Sequence, residues 1–227
     1  MSIQMANTDF IEFWTTCASN GIFIEKSQVD DFERFHQELL EWNEKINLIS
    51  RKDYEHIIER HFIHSLSILK YVALKEKSFC LDIGTGGGFP GIPLSIARPD
   101  LRMLLIDSIA KKIRTTNIFA KHTGNRYLET LRARAEDLAT NENYLNHFDY
   151  IFARAVTKTA SIVEWSLPLL KPSGQIILLK GGDLSAELEE TRSAFPKINI
   201  KEEQIQILGH PYFLNEEKKI LICDFKD

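Results

Sequence analysis

Cysteine is scarce in this chain. Its 227 residues hold three, Cys17, Cys80 and Cys223, far apart and with no CxxC pair. That excludes a disulfide framework and a paired-cysteine zinc site, and it fits a reducing, cytoplasmic setting. Long apolar runs are also missing: none approaches the roughly 18 residues of a membrane-crossing helix. The opening Met1-Ser2-Ile3-Gln4-Met5-Ala6 lacks the basic and apolar regions of a secretory signal. Glycine and proline are absent from residues 22–83, so no flexible linker is expected there.

What is present is the composition of a globular protein, 44% hydrophobic and 26% charged. At roughly 100–200 residues per domain, this length gives one domain with an extension. The net charge of −4 is unevenly spread. Residues 98–134 hold nine Lys/Arg against three acids, a balance of +6 that leaves −10 for the rest. Such a segment is either a phosphate footprint or a set of solvated helix faces.

Residues 1–77 read as helical. Phe32, Phe35, Leu39, Trp42 and Ile46 recur at helical spacing, with Asp30 or Asp31 placed to cap the start. A second helix is expected from Tyr54 to Val72, with Ile58, Phe62, Leu66 and Leu69 on one face. From Ser78, short apolar runs (79–83, 102–107, 126–131, 148–153, 175–180) alternate with helical stretches. That alternation builds a parallel sheet with helices on both faces. Residues 205–208 and 219–223 are expected to close it as an antiparallel hairpin. The expected division is a helical extension, 1–77, packed on a domain at 78–227.

The turn after the first strand carries the chemistry. Asp82-Ile83-Gly84-Thr85-Gly86-Gly87-Gly88 reads D-x-G-x-G-x-G. Glycines let the chain bend sharply and let a ligand approach the main chain. An acid at the strand end repels a pyrophosphate and attracts an ammonium group, which favours S-adenosylmethionine. The NAD reading stays open, because Gly86–Gly91 fits G-x-G-x-x-G and Asp107 follows about 20 residues on. Ligands of open parallel sheets bind beyond the carboxyl ends of the strands. There Asp107 can bond ribose hydroxyls or cap the next helix, and Ala135 and Glu136 can frame an adenine. Arg154 and Lys180, ending the fourth and fifth strands, are candidates for positioning the reacting groups. Phe89 either stacks on a substrate base or packs in the core. His56, His61 and His64 lack the ligand spacing of a metal site, so a structural or RNA-facing role is expected.

Several stretches are more specific. Trp42-Asn43-Glu44-Lys45-Ile46-Asn47-Leu48, Glu59-Arg60-His61-Phe62-Ile63-His64-Ser65, Gly87-Gly88-Phe89-Pro90-Gly91-Ile92-Pro93, Arg134-Ala135-Glu136 and Arg154-Ala155-Val156 stand in order along the chain. With them the chain resembles the RsmG (GidB) family of bacterial 16S rRNA methyltransferases over about residues 35–182, departing at His64, where the family usually has Asp. The resemblance implies an α/β, Rossmann-like class I methyltransferase fold: a mostly parallel seven-stranded sheet with a closing antiparallel hairpin and an N-terminal helical extension. It implies methyl transfer from S-adenosylmethionine to N7 of guanosine 527 in 16S rRNA within the small ribosomal subunit, by a monomer with no DNA or membrane partner. Cofactor contacts are expected at Asp82, Gly84, Gly86, Phe89, Asp107, Ala135, Glu136 and Arg154, and RNA contacts at Lys111, Lys112 and Arg134. Guanine N7 is an unprotonated acceptor, so no acid–base residue and no metal are expected.

Overall fold

The computed structural model describes residues 3–225. Seven strands, β1 Phe79–Ile83, β2 Arg102–Asp107, β3 Leu128–Arg132, β4 Phe148–Arg154, β5 Leu170–Gly181, β6 Ile198–Gln204 and β7 Lys218–Phe225, form one sheet in the order β3-β2-β1-β4-β5-β7-β6. The first five run parallel, and β7 lies antiparallel to both β5 and β6. Helices α1 Ile3–Ser19, α2 Lys26–Asn43, α3 His64–Leu66 and α4 Ile68–Tyr71 precede the sheet. Helices α5 Gly91–Ala97, α6 Ala110–His122, α7 Ala135–Leu138, α8 Thr159–Ser166 and α9 Ser185–Ala194 follow successive strands, and α10 Tyr212–Asn215 sits in the final loop. Among the described residues, no helix is long and apolar enough to cross a membrane.

The central strands are buried on both faces, and residues alternate between them as strand geometry requires. Cys80, Tyr150, Phe152 and Ile177 join a core with the N-terminal helices, α5 and α6, whereas Leu81, Ile151, Ala153 and Ile176 join a second core with α7, α8 and α9. Phe62 is the hub of the first core. Its ring centroid lies 5.4 Å from that of Phe32, 5.5 Å from Phe35 and 6.1 Å from Phe89. The helical segment is thereby welded to the glycine loop that Phe89 follows.

Three local expectations need correction. Helix α2 starts at Lys26, where Glu25 and Gln28 exchange side-chain and backbone bonds in a capping box. Asp30 and Asp31 lie inside it, and Asp31 pairs with Arg34. The hairpin's first strand is β6, not residues 205–208. In β6, Ile198 and Ile200 are buried while Asn199 and Lys201 face water, an edge strand with one wet face. Ile205 and Ile207 instead turn into the helical core.

The single helix expected over 54–72 is broken. A 3-10 turn, Arg51–His56, leads into a widened π turn, Ile58–Ile63, before α3 and α4. The His64 N–H reaches back five residues to the Glu59 carbonyl. Ser65 Oγ donates to the His61 carbonyl at 2.6 Å and Ser67 Oγ to the His64 carbonyl at 2.6 Å. Hydroxyls bonding back along a helix bend it, and π turns recur at functional sites.

Because Phe62 joins the extension to the sheet, Phe62→Ala should lower stability by about 3–5 kcal/mol. Urea unfolding followed by circular dichroism should still show one transition, at a lower midpoint.

Candidate functional site

Strands β1 and β4 are neighbours whose following connections leave in opposite directions, β1 toward β2 and β4 toward β5. The crevice at such a switch point is where open α/β sheets bind ligands. The glycine loop fills one side of it. Thr85 N–H donates to the Ile106 carbonyl at 3.0 Å, and Gly88 and Phe89 N–H both donate to the Thr85 carbonyl. Gly86 has φ +56, and a Cβ there would meet only the Gly84 carbonyl oxygen, at 3.9 Å. Gly91 is glycine for a different reason: a Cβ there would come within 2.1 Å of Leu105 Cδ2, so α5 could not lie against β2.

Asp82 lies under this loop and is fully buried. Its Oδ2 accepts from Thr85 Oγ1 at 2.7 Å and from Gly91 N–H at 2.9 Å, while Oδ1 is buried without a partner. Burial pushes its carboxyl up to about 7, against the bonds from Thr85 and Gly91 and the charge of Arg154. Asp107 ends β2. Its Oδ2 accepts from Gly86 N–H at 3.0 Å and its Oδ1 from Ile109 N–H at 2.8 Å. It therefore braces the glycine loop and starts the next helical segment at once.

Two cavities open beside the loop. The larger, about 500 Å³, is walled by Gly84–Gly87, His61, His64, Lys112, Arg154 and Lys180. The smaller, about 140 Å³, holds Asp107, Arg134, Ala135, Glu136, Val156 and Trp165. Gly84 belongs to both walls.

Arg154, at the end of β4, dominates the larger cavity. Its guanidinium lies 4.8 Å over the Phe89 ring. Nη1 donates to the Arg60 carbonyl at 3.2 Å, and Nη2 stands 2.7 Å from His61 Nδ1. Burial lowers its pKa to about 10, partly offset by Asp82 and Asp53, so it stays charged at neutral pH. Asp53 Oδ1 accepts from Arg60 Nη1 at 2.7 Å, and the Arg60 guanidinium covers the Tyr212 ring at 5.1 Å. His61 is held neutral, its pKa pushed down to about 3 by burial and then by the Arg154 charge.

The predicted site residues thus fall into groups. Gly84, Gly86, Phe89, Arg154, Lys112 and Lys180 meet at the large cavity, and Asp107, Ala135, Glu136 and Arg134 at the small one. Asp82 touches neither wall and acts from beneath. Lys111 is exposed on α6 outside both. Phe89 is 3% exposed, packed against Phe35 and roofed by Arg154. It is core packing, with no free face on which a base could stack. Lys180 Nζ is engaged by the Thr157 carbonyl and Glu187 Oε1, each at 2.7 Å.

The basic segment 98–134 is not one patch. Arg98 pairs with Asp100, and Arg102 and Arg126 lie over Tyr127, all at the amino ends of the strands. Lys111, Lys112, Arg114, Arg132 and Arg134 stand at the carboxyl ends. His56 is likewise apart from His61 and His64, lining a different cavity. Sequence reasoning missed Asp53, Arg60, Tyr212 and Lys218 in the large cavity, and it missed Asn43. The buried Asn43 side chain bonds Leu48 N–H, Ile49 N–H and the Tyr54 hydroxyl, shaping the wall formed by residues 48–50. Asn43 stood inside the quoted W-N-E-K-I-N-L stretch, which was its only signal.

A mostly parallel sheet with one reversed strand, β7, inserted between β5 and the edge strand β6, with a glycine loop after β1 and an acid ending β2, is the class I methyltransferase fold; the reversal sets it apart from all-parallel dinucleotide-binding sheets. Comparison with known proteins agrees. The methylase of ribosomal protein L11 from Lactobacillus delbrueckii subsp. bulgaricus superposes with a TM-score of 0.55 at 15% identity, over 77% of this chain and 80% of that one. The family model GidB, rRNA small subunit methyltransferase G, matches residues 28–218. Ribosomal RNA small subunit methyltransferase G of Lachnoclostridium phytofermentans is 38% identical over 205 residues, 90% of this chain and 84% of that protein. Its counterpart from Exiguobacterium sibiricum is 34% identical over 218 residues, 95% of this chain and 90% of that protein. The chain belongs to the rRNA small subunit methyltransferase G (GidB) family.

The raised pKa of Asp82 carries a sign. The folded carboxyl binds its proton more tightly than the unfolded one does, so stability falls as pH rises from about 4 through about 7. Asp82→Asn should flatten that dependence by about 2–3 kcal/mol between pH 5 and pH 8, read from urea midpoints at those two values.

Proposed function

We propose that this enzyme transfers the methyl group of S-adenosylmethionine to N7 of guanosine 527 in 16S rRNA, acting in the cytoplasm on the small ribosomal subunit. The observation that carries the cofactor reading is a pair of cavities that share Gly84 in their walls. A long ligand can lie across Gly84, with its adenosine toward Asp107, Ala135 and Glu136 and its amino-acid end toward the glycine loop. The residues fit such a ligand. Asp107 has lone pairs left beyond its two backbone bonds, Gly86 leaves main chain uncovered, and the unpartnered Oδ1 of Asp82 lies beneath the loop. Bound there, the cofactor supplies an electrophilic methyl group.

The protein's own part is placement. N7 carries a lone pair and needs no general base, so rate comes from holding nucleophile and methyl within roughly 3–3.5 Å. The larger cavity, on the Arg154 side of Gly84, is the berth for an unstacked base. Lys111, Lys112, Arg114, Arg132 and Arg134 ring the carboxyl ends of the strands and are the groups available to RNA phosphates. Arg154 cannot swing freely toward solvent, because Phe89, His61 and the Arg60 carbonyl hold it in place.

Two measurements test this reading. Small subunits from cells lacking the enzyme, incubated with it and S-adenosylmethionine, should gain one cleavage-sensitive N7-methylguanosine, mapped by primer extension to position 527; modification elsewhere would overturn the assignment. In calorimetry, Gly86→Asp and Asp107→Ala should each weaken S-adenosylmethionine binding at least about tenfold, the scale of losing a charged hydrogen bond, while the thermal unfolding transition persists.

A further inference from the structure

The carboxyl ends of the strands hold the candidate site. The amino ends carry a second cluster, which the proposed reaction does not use. Phe79 starts β1, Arg102 starts β2 and Tyr127 stands one residue before β3, side by side in the parallel register. The Arg102 guanidinium lies 4.8 Å from the Phe79 ring centroid and 5.7 Å from that of Tyr127. Arg126 lies 4.7 Å over the Tyr127 ring and donates from Nη2 to its hydroxyl at 2.7 Å. Lys171 of β5 lies 5.1 Å over Phe79. Cations and rings therefore alternate across the edge of four strands, in the order Lys171, Phe79, Arg102, Tyr127, Arg126.

Ion pairing does not account for this row. Arg102, Arg126 and Tyr127 are exposed. Among the described residues, the Arg102 side chain makes no hydrogen bond and no ion pair; its neighbours are the two rings. Two acids at this end are already engaged, Asp100 by Arg98 at 2.7 Å and Asp149 by Lys171 at 2.8 Å. Glu25 and Asp31 share a cavity with Arg126, yet neither is bonded to it, and Asp31 pairs with Arg34. A guanidinium held against aromatic rings loses freedom before it meets a partner, while its N–H groups stay free to donate. Those groups can only donate, so the fitting partner is an anion with several oxygens. Phosphate is the anion a guanidinium fork matches.

We propose that this amino-end row is a second RNA-contact surface, binding the sugar–phosphate backbone of an rRNA segment other than the one that delivers the target base. Strands β1 to β4 are five to seven residues long, so about 15–20 Å of sheet separates the row from the site, at roughly 3.3 Å per residue. A folded RNA with strands on both sides of the enzyme can reach both ends. Contacts of this kind fix position and carry no sequence information. They act on affinity for the RNA and leave the transfer step alone. The surface presupposes the rRNA substrate proposed above and adds where else that substrate is held.

The test uses the full chain and small subunits from cells lacking it, with filter binding at several salt concentrations beside steady-state methyl transfer. Arg102→Gln and Arg126→Gln should each raise KM for subunits about fivefold, the upper scale of an exposed charge pair. Both should leave kcat and S-adenosylmethionine affinity unchanged. The slope of log affinity against log salt should become shallower by about 0.7–0.9 for each lost contact. Arg102→Lys keeps the charge without the fork, and should keep the slope while losing part of the affinity. An unchanged KM and slope in the double Gln variant overturn the proposal. A fall in kcat at constant KM also overturns it, because the row would then act through the stability of the sheet. If a variant loses its cooperative melt, the wild-type protein decides. Ultraviolet crosslinking of wild-type enzyme to small subunits should join rRNA to peptides bearing Phe79 or Tyr127. Crosslinks there to a ribosomal protein, or none at either ring, sink it. Wild-type enzyme that methylates no nucleotide of the small subunit would instead defeat the functional reading, so the two failures are distinct.

Discussion

A guanidinium is buried where the sheet divides, and three distant segments meet to hold it. Arg154 ends β4, Phe89 follows the glycine loop, and Arg60 and His61 come from the π turn of the N-terminal segment. A charge in such a place is costly unless it is hydrogen-bonded and has opposite charge nearby. Asp82 and Asp53 provide that charge, one from beneath the loop and one from the 3-10 turn. The arrangement explains why the helical segment cannot be a detached appendage. Without it Arg154 would lose both its carbonyl and its imidazole partner, and the cavity would lose most of one wall.

Much of the sheet was legible because its signals are local. Parallel strands buried on both faces read as apolar runs whatever lies beside them. The glycine loop was legible for the same reason, since the close approach at Gly91 and the left-handed backbone at Gly86 each demand glycine. Edge strand β6 was misplaced because one wet face dilutes its pattern, while Ile205-Gln206-Ile207-Leu208 looked more continuous yet serves the helical core. The break in residues 54–72 was invisible. Ile58, Phe62, Leu66 and Leu69 keep a helical spacing straight through it, and what bends the chain is a set of serine hydroxyls and one extra residue in a turn.

The site was legible where one strand end sufficed, as for Asp107 and Arg154. It was not legible where the wall comes from parts remote in sequence. Asp53 and Tyr212 are 159 positions apart, yet Arg60 bonds one and covers the other. Composition misled as well. A run of nine basic residues suggested one phosphate footprint, but strand polarity sends Arg98, Arg102 and Arg126 to the far end of the sheet, where Asp100, Phe79 and Tyr127 engage them.

A fixed cation beside the proposed N7 transfer, which would create a cationic base, looks counterproductive. The electrostatics of the cavity resolve the difficulty. The proposed methylation at N7 would move a positive charge from sulfur to guanine without adding one, so what matters is the field along that path. Arg154 is flanked by Asp82 and Asp53, and its charge is partly met before substrate arrives. His61, which stands 2.7 Å from Arg154 and lines the same cavity, is neutral. In the proposed reaction the methyl path would therefore run beside a guanidinium whose charge is already partly met by Asp82 and Asp53, which suits a transfer that begins and ends with one positive charge.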